Sequence, residues 1–450
     1  VVGAELPSMK HSTIIVGAGI GGLSAAWALR DDPDLLVLDG GDHVGGHSDT
    51  AVVRPDGPDG PEVAVDTGFI VHNDLTYPNL VALFEHLDVE RAPSDMSFAF
   101  TGGPAAGSRG GEAEYSGSLG GLLGHGGWHR RSNLRLTRDI VDFGRVAAAA
   151  AVDGTDHTTL AELSARFSPE FRDRYLYPMA AAIWSSPDID VAAMPARSLI
   201  AFFHQHGLFR LRNRPRWSTL AGGSASYVDA LVGSLAGEVR HGVAVRSVTR
   251  VGDTVVVAAA DGRSWSADRV VLGTHADVSL ALLGDDATPA ERDVLGRFRF
   301  SPNRAYLHSD PSWMPRRRSH WSAWNVSGTP SEEVTVTYWM NRLQPLGCDT
   351  DLFVTLNPPT RPQGVLRVRD YTHPVMSAES AAAQRALPTI QGLGSVWHCG
   401  AWCGYGFHED GAESGLAVGQ ALGGDVPWEL IRRVDRPASI VTETARAKEL

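Results

Sequence analysis

A chain of 450 residues carrying a formal charge of −12 is long for one core, which predicts two intertwined domains. It lacks the basic face that a nucleic-acid partner requires. No run of 18 apolar residues predicts a spanning helix, and Val1 to Ser8 has neither the charged start nor the apolar stretch of a signal peptide. Met9 is a candidate natural start. Three cysteines, Cys348, Cys399 and Cys403, cannot complete a disulfide set and suit a reducing cytoplasm, where the protein is expected. Cys399 and Cys403 lack a second Cys or His pair at ligand spacing, so packing is the expected role and no metal is expected.

In chain order, Thr13 to Val16 is a short apolar run that reads as a buried parallel strand. Gly17, Gly19 and Gly22 then form G-x-G-x-x-G, Leu23 to Leu29 suit a helix, and Leu35 to Leu38 read as a second strand ending in Asp39. Each part has a reason. Gly17 permits the turn, Gly19 lets backbone approach a pyrophosphate, and Gly22 allows close helix–strand packing. The helix N-terminus offers unpaired N–H groups to phosphate, and Asp39 can accept from ribose hydroxyls. Strand, helix, strand and acid in register predict a dinucleotide-binding βαβ unit.

Arg54 to Pro61 is a turn-rich connection, Val63 to Val71 is strand-like around Asp66-Thr67-Gly68, and Gly102 to Gly127 is a Gly/Ser-rich excursion. From Leu134 to about Trp217 the pattern is helical and aromatic (Phe143, Phe167, Phe171, Tyr175, Tyr177, Trp184, Phe202, Phe203, Trp217), as a substrate-covering domain or simply a helical core would be. Gly222-Gly223-Ser224 precedes an amphipathic helix, Tyr227 to Leu235. Strands are predicted at 243–251, 254–259 and 269–272. A second aromatic stretch, Phe298 to Leu356, suits a sheet flooring the same cavity. Val396 to Gly424 is Gly-rich and closes the folded chain; 425–450 shows no catalytic pattern.

Together these pieces resemble the FAD-dependent amine-oxidase-like superfamily, which includes phytoene-desaturase-like and isomerase flavoproteins, from Met9 to about Gly424. More narrowly, VDTGFIVHNDLTYPNL (65–80), YPMAAAIWSS (177–186), RWSTLAGGSASYV (216–228), YWMNRLQ (338–344), VTLNP (354–358) and GYGFHEDGAESG (404–415) resemble a bacterial group of predicted NAD/FAD-binding oxidoreductases. Some of its members are associated with fatty-acyl lipid modification. The resemblance implies an α/β architecture: a discontinuous Rossmann-like FAD-binding domain (9–72, 222–295, 391–424) and an α+β substrate-binding domain (73–221, 296–390), with 425–450 a tail.

It also implies cofactor roles. Gly17, Ala18, Gly19, Gly22 and Asp39 match the pyrophosphate and ribose elements, and Gly45 and Gly46 match a second Gly pair near the flavin phosphates. His47 stands where many relatives carry Arg, which implies a weaker, pH-dependent ionic contact. Gly68, Phe69 and Ile70 match a segment beside the isoalloxazine ring, and Val245 falls where relatives hold adenine through backbone groups. Gly400, Gly406, Phe407, His408 and Glu409 match the C-terminal motif at the ribityl chain and flavin; Ala401 replaces an acid common in relatives. A helix starting near Ala412 is expected to point its N-terminus at the flavin, where its dipole would stabilise negative charge. FAD is expected rather than NAD, because NAD domains have no counterpart to the 45–46 and 400–415 elements.

Amine oxidases of this superfamily usually place a Lys near flavin N5 and flank the ring with two aromatics. Here the two lysines, Lys10 and Lys448, fall in no flavin motif, and Phe407 stands where a cage Tyr is usual. The remaining candidates, Trp184, Phe202, Trp217, Trp324, Tyr338, Trp339 and Phe407, predict an apolar aromatic pocket for a hydrophobic small molecule. The preferred chemistry is desaturation, reduction or double-bond relocation in a lipid- or polyketide-like substrate. Oxidation of a C–N bond, a mutase- or isomerase-like role without net electron turnover, and a binding-only flavoprotein stay open. His72 and Tyr338 are the acid–base candidates, each also readable as structural. His408, Glu409 and Asp410 suit FAD hydroxyls better than catalysis, and Arg316-Arg317-Arg318 reads as an acidic-head-group site or a solvated turn.

Overall fold

In the computed structural model the described residues are 10–102, 113–116, 135–136, 138–146, 158–184, 192–193, 196, 199–200, 203, 215–328 and 335–431. The chain opens on the crossover its sequence predicts: β1 (Lys10–Val16), α1 (Ile20–Ala28) and β2 (Leu35–Leu38), the two strands parallel and in register from Thr13↔Leu35 to Val16↔Leu38. All four residues of β2 are buried, as an unbroken apolar run requires when both faces of a strand are covered. There follow β3 (Thr50–Val53), β4 (Val63–Asp66), β5 (His72–Asn73), α2 (Pro78–His86), β6 (Arg91–Pro93), β7 (Phe98–Gly102), β8 (Ala113–Ser116) and α3 (Tyr177–Trp184). Next come β9 (Trp217–Leu220), α4 (Ala225–Gly233), β10 (Glu238–Arg240), β11 (Val245–Val251), β12 (Thr254–Ala259), β13 (Ser264–Leu272) and α5 (Ala276–Leu283). The last part holds β14 (Phe300–His308), β15 (Trp324–Gly328), β16 (Thr335–Trp339), β17 (Phe353–Leu356), β18 (Val365–Pro374), β19 (Val396–His398) and α6 (His408–Ala421).

With β3-β4 and β5-β9-β6 forming two small sheets, most of these strands lie in two seven-stranded ones. One runs β10-β2-β1-β13-β12-β11 with β19 added beside β13; the other runs β18-β14-β17-β16-β15-β7-β8. The aromatic stretch from Phe298 to Leu356 forms most of the second sheet, the sheet expected there. Of the Gly102–Gly127 excursion, 113–116 is a strand and 103–112 and 117–127 lie outside the described residues.

Helix α6 begins at His408, one turn earlier than the Ala412 expected from sequence. Its glycines at 411, 415 and 419 lie four residues apart, so they share one face. That face lies against α1. A Cβ on Gly415 would stand 2.0 Å from the Gly21 carbonyl oxygen, and one on Gly419 would stand 2.4 Å from Ala28 Cβ. Helices α1 and α6 therefore touch backbone to backbone.

Among the histidines sealed in the interior, besides His398, are His72 and His308. His72 is fully buried, neither ring nitrogen having a hydrogen-bond partner. Burial, with a smaller effect from Arg91, pushes its pKa down to about 4. His308 is equally buried, binds Thr355 Oγ1 through Nε2 at 2.7 Å and accepts from the Asp310 N–H through Nδ1; burial also takes it to about 4. The fold thus holds both rings neutral, whereas the unfolded chain protonates them near pH 6.5. The contribution of these two histidines to stability should be level above pH 6.5 and fall as pH drops toward 4, by about 3 kcal/mol per histidine. It runs against the opposite trend of Asp66, whose carboxyl is pushed up to about 6 by burial. Denaturant titrations across that range should show the slope, and His72→Leu should remove the His72 share of it; an unchanged slope contradicts the assignment.

Candidate cofactor and substrate site

The glycine loop is built as the motif demands. Gly17 has φ +98°, in the region favouring glycine, and its N–H donates to the Leu38 carbonyl at 2.8 Å. A Cβ on Gly22 would stand 1.9 Å from the Gly17 oxygen, whereas one on Gly19 would meet nothing within 4 Å. Crowding at Gly22 and open space at Gly19 leave a recess in front of the α1 N-terminus, which no side chain caps. Those N–H groups are free for an anion. Asp39 closes the recess: its carboxylate accepts from Ala18 N at 2.6 Å and Gly41 N at 2.7 Å, leaving lone pairs for ribose hydroxyls.

The second Gly pair lies on this loop. Gly45 N–H donates to the Ala18 carbonyl at 2.9 Å, and a Cβ on Gly46 (φ +60°) would stand 3.1 Å from Gly19 Cα. His47 follows, stacked on Tyr371 at 4.8 Å and near His373 at 5.2 Å. Burial and the neighbouring histidines 373, 275 and 408 hold its pKa well below the usual range. The expected pH-dependent ionic contact is therefore replaced by an uncharged ring. Gly68 packs where a Cβ would strike the His47 oxygen at 2.2 Å, and Phe69 stacks on His408, centroids 3.8 Å apart.

These groups line one cavity of about 530 Å³. At one end are Gly17, Gly19, Asp39 and Gly46; in the middle His47, Gly68, Phe69, Ile70, Gly400, Gly406, Phe407 and His408. At the other lie Trp217, Trp324, Tyr338, Met96, Met179 and Leu356. Tyr338 and Trp324 meet edge to face at 4.8 Å. Asp39 is the only carboxylate among the described lining residues, and no Lys or Arg is among them.

Several expectations are corrected. His72 does not line the cavity: Val71 does, while the His72 ring turns inward against Phe84 at 5.2 Å, so it cannot reach a reacting atom. Glu409 is likewise no cofactor ligand. Its carboxylate is buried and accepts from the N–H groups of Asn79 and Leu80 at 3.0 and 2.9 Å, capping α2. Trp339, on the opposite face of β16 from Tyr338, packs on Trp321 and donates to Asp351 at 3.0 Å. Arg318 pairs with the same Asp351, which supports the solvated-turn reading of 316–318. Val245 opens β11 beside Ala244, which lies 3.5 Å from where a Gly40 Cβ would be; it adjoins the Asp39 turn without lining this cavity. Phe202 and the side chain of Trp184 lie outside the described residues.

Sequence reasoning missed His275, Tyr371 and His373, which line the cavity. They come from the end of β13 and from β18, and no local motif marks them. His275 stacks on Phe300 at 4.3 Å and binds Thr372 Oγ1 through Nδ1.

A parallel βαβ sheet with a glycine cradle, opening on an aromatic chamber built from a second sheet, defines a dinucleotide-dependent oxidoreductase fold. The chain belongs to the flavin-containing amine oxidoreductase family, whose model matches residues 20–341. It is an FAD-dependent oxidoreductase, and the recess at Gly19 and the uncapped α1 N-terminus fit that cofactor. Among solved structures it is similar to putrescine oxidase bound to putrescine: 15% identity, TM-score 0.65, 92% of this chain and 99% of that one covered. Cyclohexylamine oxidase from Brevibacterium oxydans IH-35A gives 16% identity and TM-score 0.63, with 92% and 99% covered. A CLA-producing fatty acid isomerase from P. acnes gives 14% identity and TM-score 0.61, with 90% and 97% covered. At these identities the likeness is one of fold. No curated protein matches the chain in sequence. Among the described residues no helix is long and apolar enough to cross a membrane.

Proposed function

We propose that the protein catalyses C–C redox chemistry, desaturation, reduction or double-bond relocation, on a hydrophobic lipid- or polyketide-like small molecule. One observation carries this reading: among the described lining residues the chamber end of the cavity has Trp, Tyr, Phe, Met and Leu walls and no carboxylate, the one acid among them being Asp39 at the dinucleotide end. An alkylammonium would lose its hydration there without a counter-ion, which costs several kcal/mol. An alkyl or alkenyl chain gains from the same surface. The fatty acid isomerase of similar fold indicates that this architecture accommodates such a substrate.

Bound FAD supplies hydride exchange with a substrate carbon at N5. The chain supplies the rest. The α1 N-terminus, Gly19, Gly45, Gly46 and Asp39 hold the dinucleotide, with Val245 beside the Asp39 turn; Phe69, Ile70, Gly400, Gly406 and Phe407 border the middle of the cavity. Trp217, Trp324 and Met179 exclude water, and Tyr338 is the group placed to move a proton in the chamber. We take 9–72, 222–295 and 391–424 as the cofactor half and 73–221 and 296–390 as the substrate half. Tyr338→Phe should lower turnover by about 10²-fold while leaving FAD affinity within twofold, read by steady-state rates and flavin fluorescence.

Anaerobic mixing of the yellow protein with unsaturated acyl compounds and with amines tests the reading. Loss of flavin absorbance with an acyl compound, or its isomerisation without oxygen uptake, is the expected result. Bleaching by amines with peroxide release in air would replace it by C–N oxidation, the chemistry for which the family is named.

A further inference from the structure

His408 is the first residue of α6, and its ring lies flat on Phe69, 13° from parallel. Its Nε2 is 3.0 Å from Ser48 Oγ, and Ser48 Oγ is 2.6 Å from the hydroxyl of Tyr227. Tyr227 is wholly buried and Ser48 nearly so. Ser48 Oγ is the sole hydrogen-bond partner of the Tyr227 hydroxyl.

Counting protons along this row fixes its direction. A buried phenol with a single partner must donate to it, or leave its own O–H unsatisfied. Ser48 Oγ therefore accepts from Tyr227. The Ser48 proton then has one acceptor within reach, His408 Nε2. A nitrogen that accepts carries no hydrogen in the neutral ring, so the hydrogen sits on Nδ1. No hydrogen-bond partner of Nδ1 is found among the described residues, and His408 lines the cavity. The ring stays neutral, because burial and the positive end of α6 both disfavour a cation there.

We propose that Tyr227 and Ser48 are positioning residues that lock His408 as the Nδ1–H tautomer, making it a neutral hydrogen-bond donor to the bound flavin. The inference rests on the cofactor reading. The acceptor atoms of a flavin ring gain negative charge on reduction, so a fixed donor binds the reduced form more tightly than the oxidised one. A neutral donor does this without a proton that titrates away at ordinary pH.

The test uses the FAD-loaded protein with histidine-selective ¹⁵N labelling and a dye-linked measurement of the flavin midpoint potential. His408→Phe, which keeps the stack on Phe69, assigns the His408 signal. The wild type should show the Nδ1–H tautomer. Ser48→Ala and Tyr227→Phe should turn it into a mixture. Each of the three variants should lose about tenfold in the preference for reduced flavin, a drop of about 30 mV for a two-electron couple. An Nε2–H wild-type ring, or an unchanged potential in yellow Ser48→Ala protein, overturns the proposal. If Tyr227→Phe does not fold, Ser48→Ala decides alone. A wild type that takes up no FAD would instead overturn the cofactor reading, and the tautomer signal, measured without flavin, separates the two failures.

Discussion

Asp39→Ala protein should purify colourless and bind FAD about 100-fold more weakly than wild type. The Asp39 carboxylate performs two tasks at once. It presents acceptor oxygens at the far end of the recess, and it pins the glycine loop through Ala18 N–H and Gly41 N–H. Ala18 is fully buried, so its N–H would be left without a partner. That loss and the missing ribose contact together amount to about 3 kcal/mol, or about 100-fold in Kd. Fluorescence titration of the flavin-free protein with FAD measures this directly. Asp39→Asn keeps one acceptor oxygen and should fall between the two. A fully yellow Asp39→Ala preparation would contradict the ribose assignment.

Gly415→Ala should be among the most damaging single-methyl changes in the described helices. Its Cβ would stand 2.0 Å from the Gly21 oxygen and 2.9 Å from Ser24 Cβ, and neither is the far end of a flexible side chain. The helices must part. Overpacking in a core costs about 1–3 kcal/mol when side chains can adjust; here backbone must move, so a loss of about 3 kcal/mol or more is expected. Because α1 also bears the anion-binding N-terminus, flavin affinity should fall along with the denaturation midpoint. Gly423→Ala, at the C-terminal end of the same helix, where a Cβ would meet nothing, pays only for its positive φ and should be far milder. Equal losses in the two variants would show that the α1–α6 contact is not what matters.

The sequence was most legible where function dictates backbone. Gly17, Gly19, Gly22 and Asp39 act within one crossover, so their spacing carries their geometry; Gly45–Gly46 land against the same loop and Gly68 against His47 beside it. The aromatic chamber was legible in composition but not residue by residue. Trp324 and Tyr338 face the cavity and Trp339 faces away, because neighbouring strand residues point to opposite sides and the sequence does not say which side is wet. His72 looked functional as a polar residue beside the flavin segment, yet Val71 took the exposed position. Glu409 was misread for another reason: its partners, Asn79 and Leu80, lie about 330 residues away, and the end of a distant helix leaves no trace beside it. Tyr371 and His373 come from β18, whose neighbours across the sheet leave no mark in its own sequence.

The meeting of residues 20–28 with 408–421 bears on how the protein is made. Helix α1 emerges from the ribosome early, with its apolar face and its phosphate-binding end ready, while the helix that covers it is still hundreds of codons from translation. Closure of the cofactor site therefore waits for residues 408–421, and shortage of flavin at that moment would leave an open protein for proteases to find.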